Sequence, residues 1–290
     1  MRYESAEVPH SGVSISRRSL VAGFMAVPAL AGVPIGGERQ AASGSAATTP
    51  SSRDLWLSLR SRLDGKPTFW YVLGTEFVVV DGAATPYNGR VIVMASLVKN
   101  LGGGAYNLPY IETNGSVTST GHEYAADHRH PITGDAISTK VSDALQLNLT
   151  LQADGKITQE VRAANGTIAR YDGQYWESPG FGADRYAASK IDVTLNRPNG
   201  SIETLTEVSA LRPTAGSRGR GYVPAESDTT TSRSVANPER YKGKNVWTVG
   251  SYYGRKYQSV DEMRRAMRKI DIEKHAAIFD AWQSWAKTVG

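Results

Sequence analysis

The chain has 290 residues, 40% hydrophobic and 21% charged, enough apolar material for a sizeable core in one large domain or two small ones, which excludes intrinsic disorder of the whole. The formal net charge of +5 is scattered, and Arg218-Gly219-Arg220 is too short a basic cluster for a nucleic-acid stripe. With no cysteine, disulfides, thiolate catalysis, iron–sulfur ligation and cysteine-based zinc sites are excluded, so any metal must use His, carboxylate or carbonyl ligands.

In chain order, Ser16-Arg17-Arg18-Ser19-Leu20-Val21 precedes an apolar, Gly- and Ala-rich run that lasts to Ile35. Paired arginines before a modest apolar segment have the layout of a twin-arginine export signal, and Ala29-Leu30-Ala31 offers a small-x-small cleavage site. Gly23, Pro28, Gly32 and Pro34 interrupt the run, which falls short of the roughly 20 apolar residues of a membrane span. The expected organisation is a signal peptide over 1–31, a disordered Ala/Ser/Thr-rich linker over 32–51 and one domain over 52–290. This implies the twin-arginine export machinery as a partner, no stable membrane span after cleavage, and a periplasmic or secreted mature protein.

Residues 52–63 read as a short helix, since Leu55, Leu59 and Leu63 recur every four residues beside Trp56 and Ser51 or Ser52 is available as a cap. Thr68 to Val80, rich in β-branched and aromatic residues, reads as a strand stopped by Asp81-Gly82. Asn88-Gly89 is expected to launch a second strand, Arg90 to Val98. The glycines of Leu101-Gly102-Gly103-Gly104 lack the spacing and the Lys-Ser/Thr of a phosphate loop. Leu145, Leu147, Leu149 and Leu151 alternate with uncharged polar residues, a strand with one apolar face and a second face turned to solvent or to a wet cavity. Asp154-Gly155, Asn165-Gly166 and Pro198-Asn199-Gly200 then separate strands Lys156 to Ala163, Thr167 to Tyr171, Lys190 to Arg197 and Ser201 to Ala210.

Arg212 to Tyr257 shows no lasting period and is expected to be an irregular wall or lid. Ser259 and Glu262 form a capping-box pair ahead of a long amphipathic helix, broken near Ile272, with His275 on its surface. The predicted fold is therefore mainly β: an antiparallel meander forming a curved sheet or barrel, with a short N-terminal helix and a long C-terminal helix.

The chemistry-bearing cluster is His122, His128 and His130, with Glu123, Asp127 and Asp135 nearby. An extended backbone from Asp127 to His130 puts His128 and His130 on one face, where two imidazoles address one substrate or metal. The expected catalytic groups are His128 or His130 as base, Asp127 or Asp135 as orienter, and Tyr106 as a hydroxyl donor. His122, His128 and His130 are the candidate ligands of a divalent metal, although His-x5-His-x-His matches no closed zinc signature. A charged surface loop before Pro131 is the competing account. Asn107, Tyr110, Arg170, Tyr175 and Trp176 are the candidate substrate-binding residues, aromatic groups that either stack on a planar ligand or fill a core.

Trp56 through Leu63-Asp64-Gly65 into Trp70-Tyr71 and Gly74, together with His130-Pro131-Ile132-Thr133-Gly134-Asp135, resembles the DUF1838 family of exported bacterial proteins, where an Asp-Pro-x-Thr-Gly-Glu turn precedes an extended strand. Here His130 stands in place of that Asp and Asp135 in place of that Glu. The resemblance touches about a third of the mature chain and implies a β-rich exported domain without assigning a mechanism. The leading expectation is an extracytoplasmic enzyme, a lyase or isomerase before a hydrolase, acting on a small polar, carbohydrate or aromatic substrate by histidine acid/base chemistry, with a divalent metal as an optional aid. The alternative is a noncatalytic small-molecule binding protein of the cell envelope.

Overall fold

The structure, a computed structural model, describes residues 51–162, 166–179, 185–215, 221–234 and 241–289. The expected leader, the linker up to residue 50 and the Arg218-Gly219-Arg220 cluster lie outside the described residues. Among those described, helix α1 (Ser52–Arg60) precedes strands β1 (Thr68–Val80), β2 (Ala83–Ser96), β3 (Lys99–Gly102), β4 (Ala105–Val117), β5 (Leu145–Leu151) and β6 (Lys156–Arg162). Next come β7 (Ile168–Pro179), β8 (Arg185–Asn196), β9 (Ile202–Pro213), β10 (Ala225–Ser234) and β11 (Val246–Tyr257). Helices α2 (Val260–Ala266), α3 (Lys269–Lys274) and α4 (Ala276–Val289) end the chain.

Each strand from β4 to β10 pairs antiparallel with the next, β11 pairs with β1, β1 with β2, and β2 returns to β4. Ten strands thus close into a barrel, leaving β3 as a short hairpin partner of β4. Closure removes the unpaired sheet edges that otherwise invite aggregation. The turn at Asp81 (φ 49°) and Gly82 (φ 90°) has two central residues in the left-handed region, the geometry of a two-residue hairpin whose twist matches its strands.

The structure revises several expectations. The second strand begins at Ala83 rather than Arg90, and Asn88 lies inside it, beside a bulge where Tyr87 is the extra residue between the partners of Glu76 and Phe77. The expected lid over 212–257 instead supplies β10 and β11, two staves of the barrel. β10 escaped a hydrophobic reading because Thr229, Thr231 and Arg233 point into a polar part of the interior, so neither face is apolar. β11 escaped because Gly250 interrupts it; the Tyr252 ring lies against Gly250 and Gly74, where an added Cβ would collide with it.

Helix α1 closes the end of the barrel where β1 begins. Ser51 caps it by accepting from the Asp54 N–H at 3.1 Å. Its buried Trp56, Leu57 and Leu59 join inward residues of β5 to β10 in one apolar cluster. The helix stops at Arg60, short of the expected residue 63, because its last carbonyls are taken from inside the barrel: Lys256 Nζ donates to Ser58 O (2.6 Å) and Ser61 O (3.1 Å), and Trp70 Nε1 donates to Arg60 O (2.9 Å). The expected long C-terminal helix is three helices, parted where Met267 and Arg268 are extended and at His275. They cover the outer face of the wall, where Met263, Ile278 and Trp285 pack with Phe69, Tyr71, Val93 and Ile111.

Candidate functional site

Alternation along the strands turns one set of side chains into the barrel, where they enclose a cavity of about 450 Å³, within the range of small-molecule pockets. Its floor above α1 is apolar, lined by Trp70, Val72, Met94, Leu149, Ile191 and Val193. Its other half is polar, lined by Glu76, Arg90, Glu112, Asn114, Glu207 and Tyr252.

At the floor, Trp56 stacks on Tyr175 with centroids 5.7 Å apart. The Arg60 guanidinium lies over the rings of Trp56 (5.6 Å) and Tyr110 (6.0 Å). Lys256, nearly enclosed beneath the plug, has its pKa pushed down to about 7 by burial and then by the charge of Arg62.

Midway up, Glu112 on β4 and Glu207 on β9 face the cavity. Glu112 retains contact with cavity space yet is surrounded by protein, and this burial raises its carboxyl pKa; Glu207 adds to the rise, while the Asn114 hydrogen bond (2.8 Å) and Arg60 oppose it. Ser209 Oγ donates to Glu207 at 3.1 Å. Tyr110 is 8% exposed and Ser189 4%, both line the cavity, and among the described residues neither hydroxyl has a hydrogen-bond partner.

Towards the mouth, Glu76 accepts from Asn88 Nδ2 (2.7 Å) and the Tyr252 hydroxyl (2.8 Å) and pairs with Arg90 Nε (3.1 Å). Burial works to raise its pKa, but Arg90 and these donors outweigh it and hold the carboxyl below its usual range. Because the Asn88 amide donates to that carboxylate, its oxygen is left to accept from His128 Nε2 at 3.2 Å. Burial lowers the His128 pKa, with the exposed Asp127 pulling the other way.

His128 and His130 meet different partners. His130 Nδ1 accepts from the Ile132 and Thr133 N–H groups (3.3 Å each), and its Nε2 lies 3.2 Å from the Tyr241 hydroxyl. Asp135 accepts from Thr133 Oγ1 (2.7 Å) within the same turn. His122 has positive φ (52°) and its carbonyl accepts from Arg268 at 2.9 Å. Among the described residues no group of three or more His, Asp or Glu side chains is placed to share a metal ion.

Of the candidate binding residues, Tyr110 lines the cavity and Tyr175 packs against the apolar core at the floor, as does Tyr106, the expected catalytic hydroxyl donor. Asn107 bonds Asn148 (2.7 Å) on the exposed side, and Trp176 is 40% exposed. Arg170 pairs with Glu160 (2.9 Å) on the outer surface. It borders a groove of about 770 Å³ where β5 and β6, joined only at Thr150–Thr158 and Leu151–Ile157, spread apart. Leu147 and Tyr171 line both this groove and the inner cavity, so the wall is thinnest there.

A second buried polar cluster lies outside the barrel. His275, expected on a helix surface, is 0% exposed, as is Asp271. The Asp271 carboxylate accepts from Arg268 Nε (2.7 Å) and Nη2 (2.8 Å), from the Tyr124 hydroxyl (3.0 Å) and from the Tyr71 hydroxyl. The Tyr124 oxygen then takes His275 Nε2–H (3.3 Å), so Nδ1 is the acceptor for the Thr113 hydroxyl (2.7 Å) and the imidazole is neutral. Burial pushes its pKa down to about 4, with Asp271 opposing.

Sequence reasoning missed Glu112, Glu207, Asp271 and His275, yet each left a signal. Leu205, Glu207, Ser209 and Leu211 share one strand face, as do Tyr110, Glu112 and Asn114, so a carboxylate sits in an otherwise inward register. Arg268, Asp271 and His275 fall at helical spacings of three and four.

No protein-family model matches the chain, and no curated protein matches it. Among the described residues no helix is long and apolar enough to cross a membrane.

Proposed function

We propose that the protein is a noncatalytic binding protein that holds a small amphiphilic molecule inside its barrel. The observation that supports this most is the two-sided cavity, apolar at the floor and polar above it, with buried hydroxyls of Tyr110 and Ser189 that face space rather than a protein partner. Both hydroxyls open onto the cavity, where a ligand or ordered water is free to hydrogen-bond them. The export signal read in residues 1–31 supports placing this activity in the periplasm or outside the cell.

The test is to purify the protein from its own host, extract it with organic solvent, and compare it with a Ser189→Phe variant whose new ring occupies the lumen. A small molecule retained by the native protein and lost from Ser189→Phe supports the reading. Equal retention by both moves binding elsewhere and refutes it.

A catalytic reading draws on a separate observation, the hydrogen-bonded chain His128–Asn88–Glu76 that leads from the mouth to the cavity. In that reading Glu76, which lines the cavity, takes up and returns a substrate proton, while His128 donates to the Asn88 oxygen and so holds the Asn88 amide against the Glu76 carboxylate. His128→Gln then keeps lumen binding and loses turnover; a measured turnover that survives the substitution removes this reading.

A further inference from the structure

We propose that the lumen selects an amphiphilic monocation, an ammonium-bearing molecule whose charged end lies between Glu112 and Glu207 and whose apolar body lies along Trp70, Ile191 and Val193. This rests on the binding reading above and adds the chemical class of the ligand.

The charges around the cavity are unevenly matched. Glu76 is paired with Arg90, and Glu203 at the rim with Arg197 and Arg233. Glu112 and Glu207 have no cation at ion-pair distance among the described residues: Glu112 is held by the Asn114 amide and Glu207 by the Ser209 hydroxyl. The remaining cation lining the cavity is Arg60, one guanidinium for two carboxylates, already resting on the faces of Trp56 and Tyr110.

Two further features match an ammonium group. Tyr110, more than nine-tenths buried with no partner for its hydroxyl, borders the same space as Tyr171, and aromatic faces attract cations most strongly where water is excluded. Both tyrosines feel the charges of Glu112 and Glu207, so the two rings and the two carboxylates form one neighbourhood. An anion placed there would meet two carboxylates. A neutral molecule would leave Arg60 as the one cation for the two of them.

The site carries its own pH signature. Glu112 faces Glu207, Tyr110, Tyr171 and Arg60, with the self-paired Glu76 and Arg90 nearer the mouth. Its raised pKa keeps a proton on the free protein to higher pH than usual, and an arriving ammonium favours the carboxylate. Binding therefore releases a proton and tightens as pH rises.

The experiment uses three probes with one body and different heads, phenylbutylammonium, phenylbutanol and phenylbutyrate, titrated calorimetrically into the native protein in buffers of different ionisation enthalpy. The ammonium is expected to bind at least about tenfold tighter than the alcohol and tighter still than the carboxylate, with net proton release that disappears in Glu112→Gln. Glu112→Gln and Glu207→Gln, checked for native circular dichroism, are each expected to weaken the ammonium about tenfold and to weaken the alcohol by clearly less. If the alcohol or the carboxylate binds best, the cation class is overturned while lumen binding stands. If none of the probes binds, or if all bind Ser189→Phe as well as the native protein, the lumen reading falls with it.

Discussion

Two clusters of buried titratable groups lie on opposite sides of the same barrel wall, and they are built differently. Outside, the Asp271 carboxylate takes four donors and both His275 nitrogens are engaged. Inside, Glu112 and Glu207 have one neutral donor each, and Tyr110 and Ser189 turn their hydroxyls to a cavity. A closed network has spent its hydrogen-bonding capacity on holding elements together, here the C-terminal helices onto the wall. An open one retains capacity for a molecule that is not part of the chain.

The contrast is broken most forcefully by Asp271→Ala. Removing the shared acceptor strands Arg268, Tyr71 and Tyr124 in a buried site, and the expected loss is about 3–5 kcal/mol, read as a lower urea midpoint at unchanged slope. Acid comes next. His275 has a folded pKa of about 4 against an ordinary 6.5, so the unfolded chain binds the extra proton first and stability falls as pH drops from 6.5 towards 4, by on the order of 3 kcal/mol. Asp271, whose pKa is held below the usual carboxylate range by Arg268, Tyr71 and Tyr124 against the effect of burial, adds to the loss at still lower pH.

Glu112 slopes the other way. Its folded pKa is raised, so its contribution is full below the unfolded value and is lost as pH rises through the folded one. Glu112→Gln should therefore remove a decline in stability at rising pH, whereas His275→Gln should remove a decline at falling pH. Urea unfolding across that range distinguishes them, and equal slopes in both variants would contradict the assignment.

One chemical change sharpens the comparison further. Tyr71→Phe deletes a hydroxyl that donates to a buried carboxylate and should cost about 1.5–3 kcal/mol. Tyr110→Phe deletes a hydroxyl that faces the cavity and should change stability by less than about 0.5 kcal/mol. If the two tyrosines prove equally important for folding, the lumen is a finished core rather than an open site.

Much of the wall was legible in the residues. The β1 boundaries at Thr68 and Val80, the leucine alternation of β5 and the Asp-Gly and Asn-Gly turns all express local preferences that tertiary contacts did not override. β4 and β10 were not legible because their inward residues line a partly polar cavity, which removes the apolar period that marks a strand, and β11 because Gly250 also interrupts it. The histidine-rich loop is conspicuous because its chemistry-bearing residues crowd together in sequence, whereas Glu112 and Glu207 are 95 positions apart in number and adjacent only across the lumen.

By itself, then, the sequence determined a cysteine-free antiparallel β domain with a capped helix at each end, because those features depend on residues within a few positions of one another. Closure of the barrel, the direction in which each polar side chain points and the meeting of two carboxylates over an apolar floor were decided by the tertiary structure. They depend on register between strands far apart in the chain, and a shift of one residue would have turned the same side chains outward.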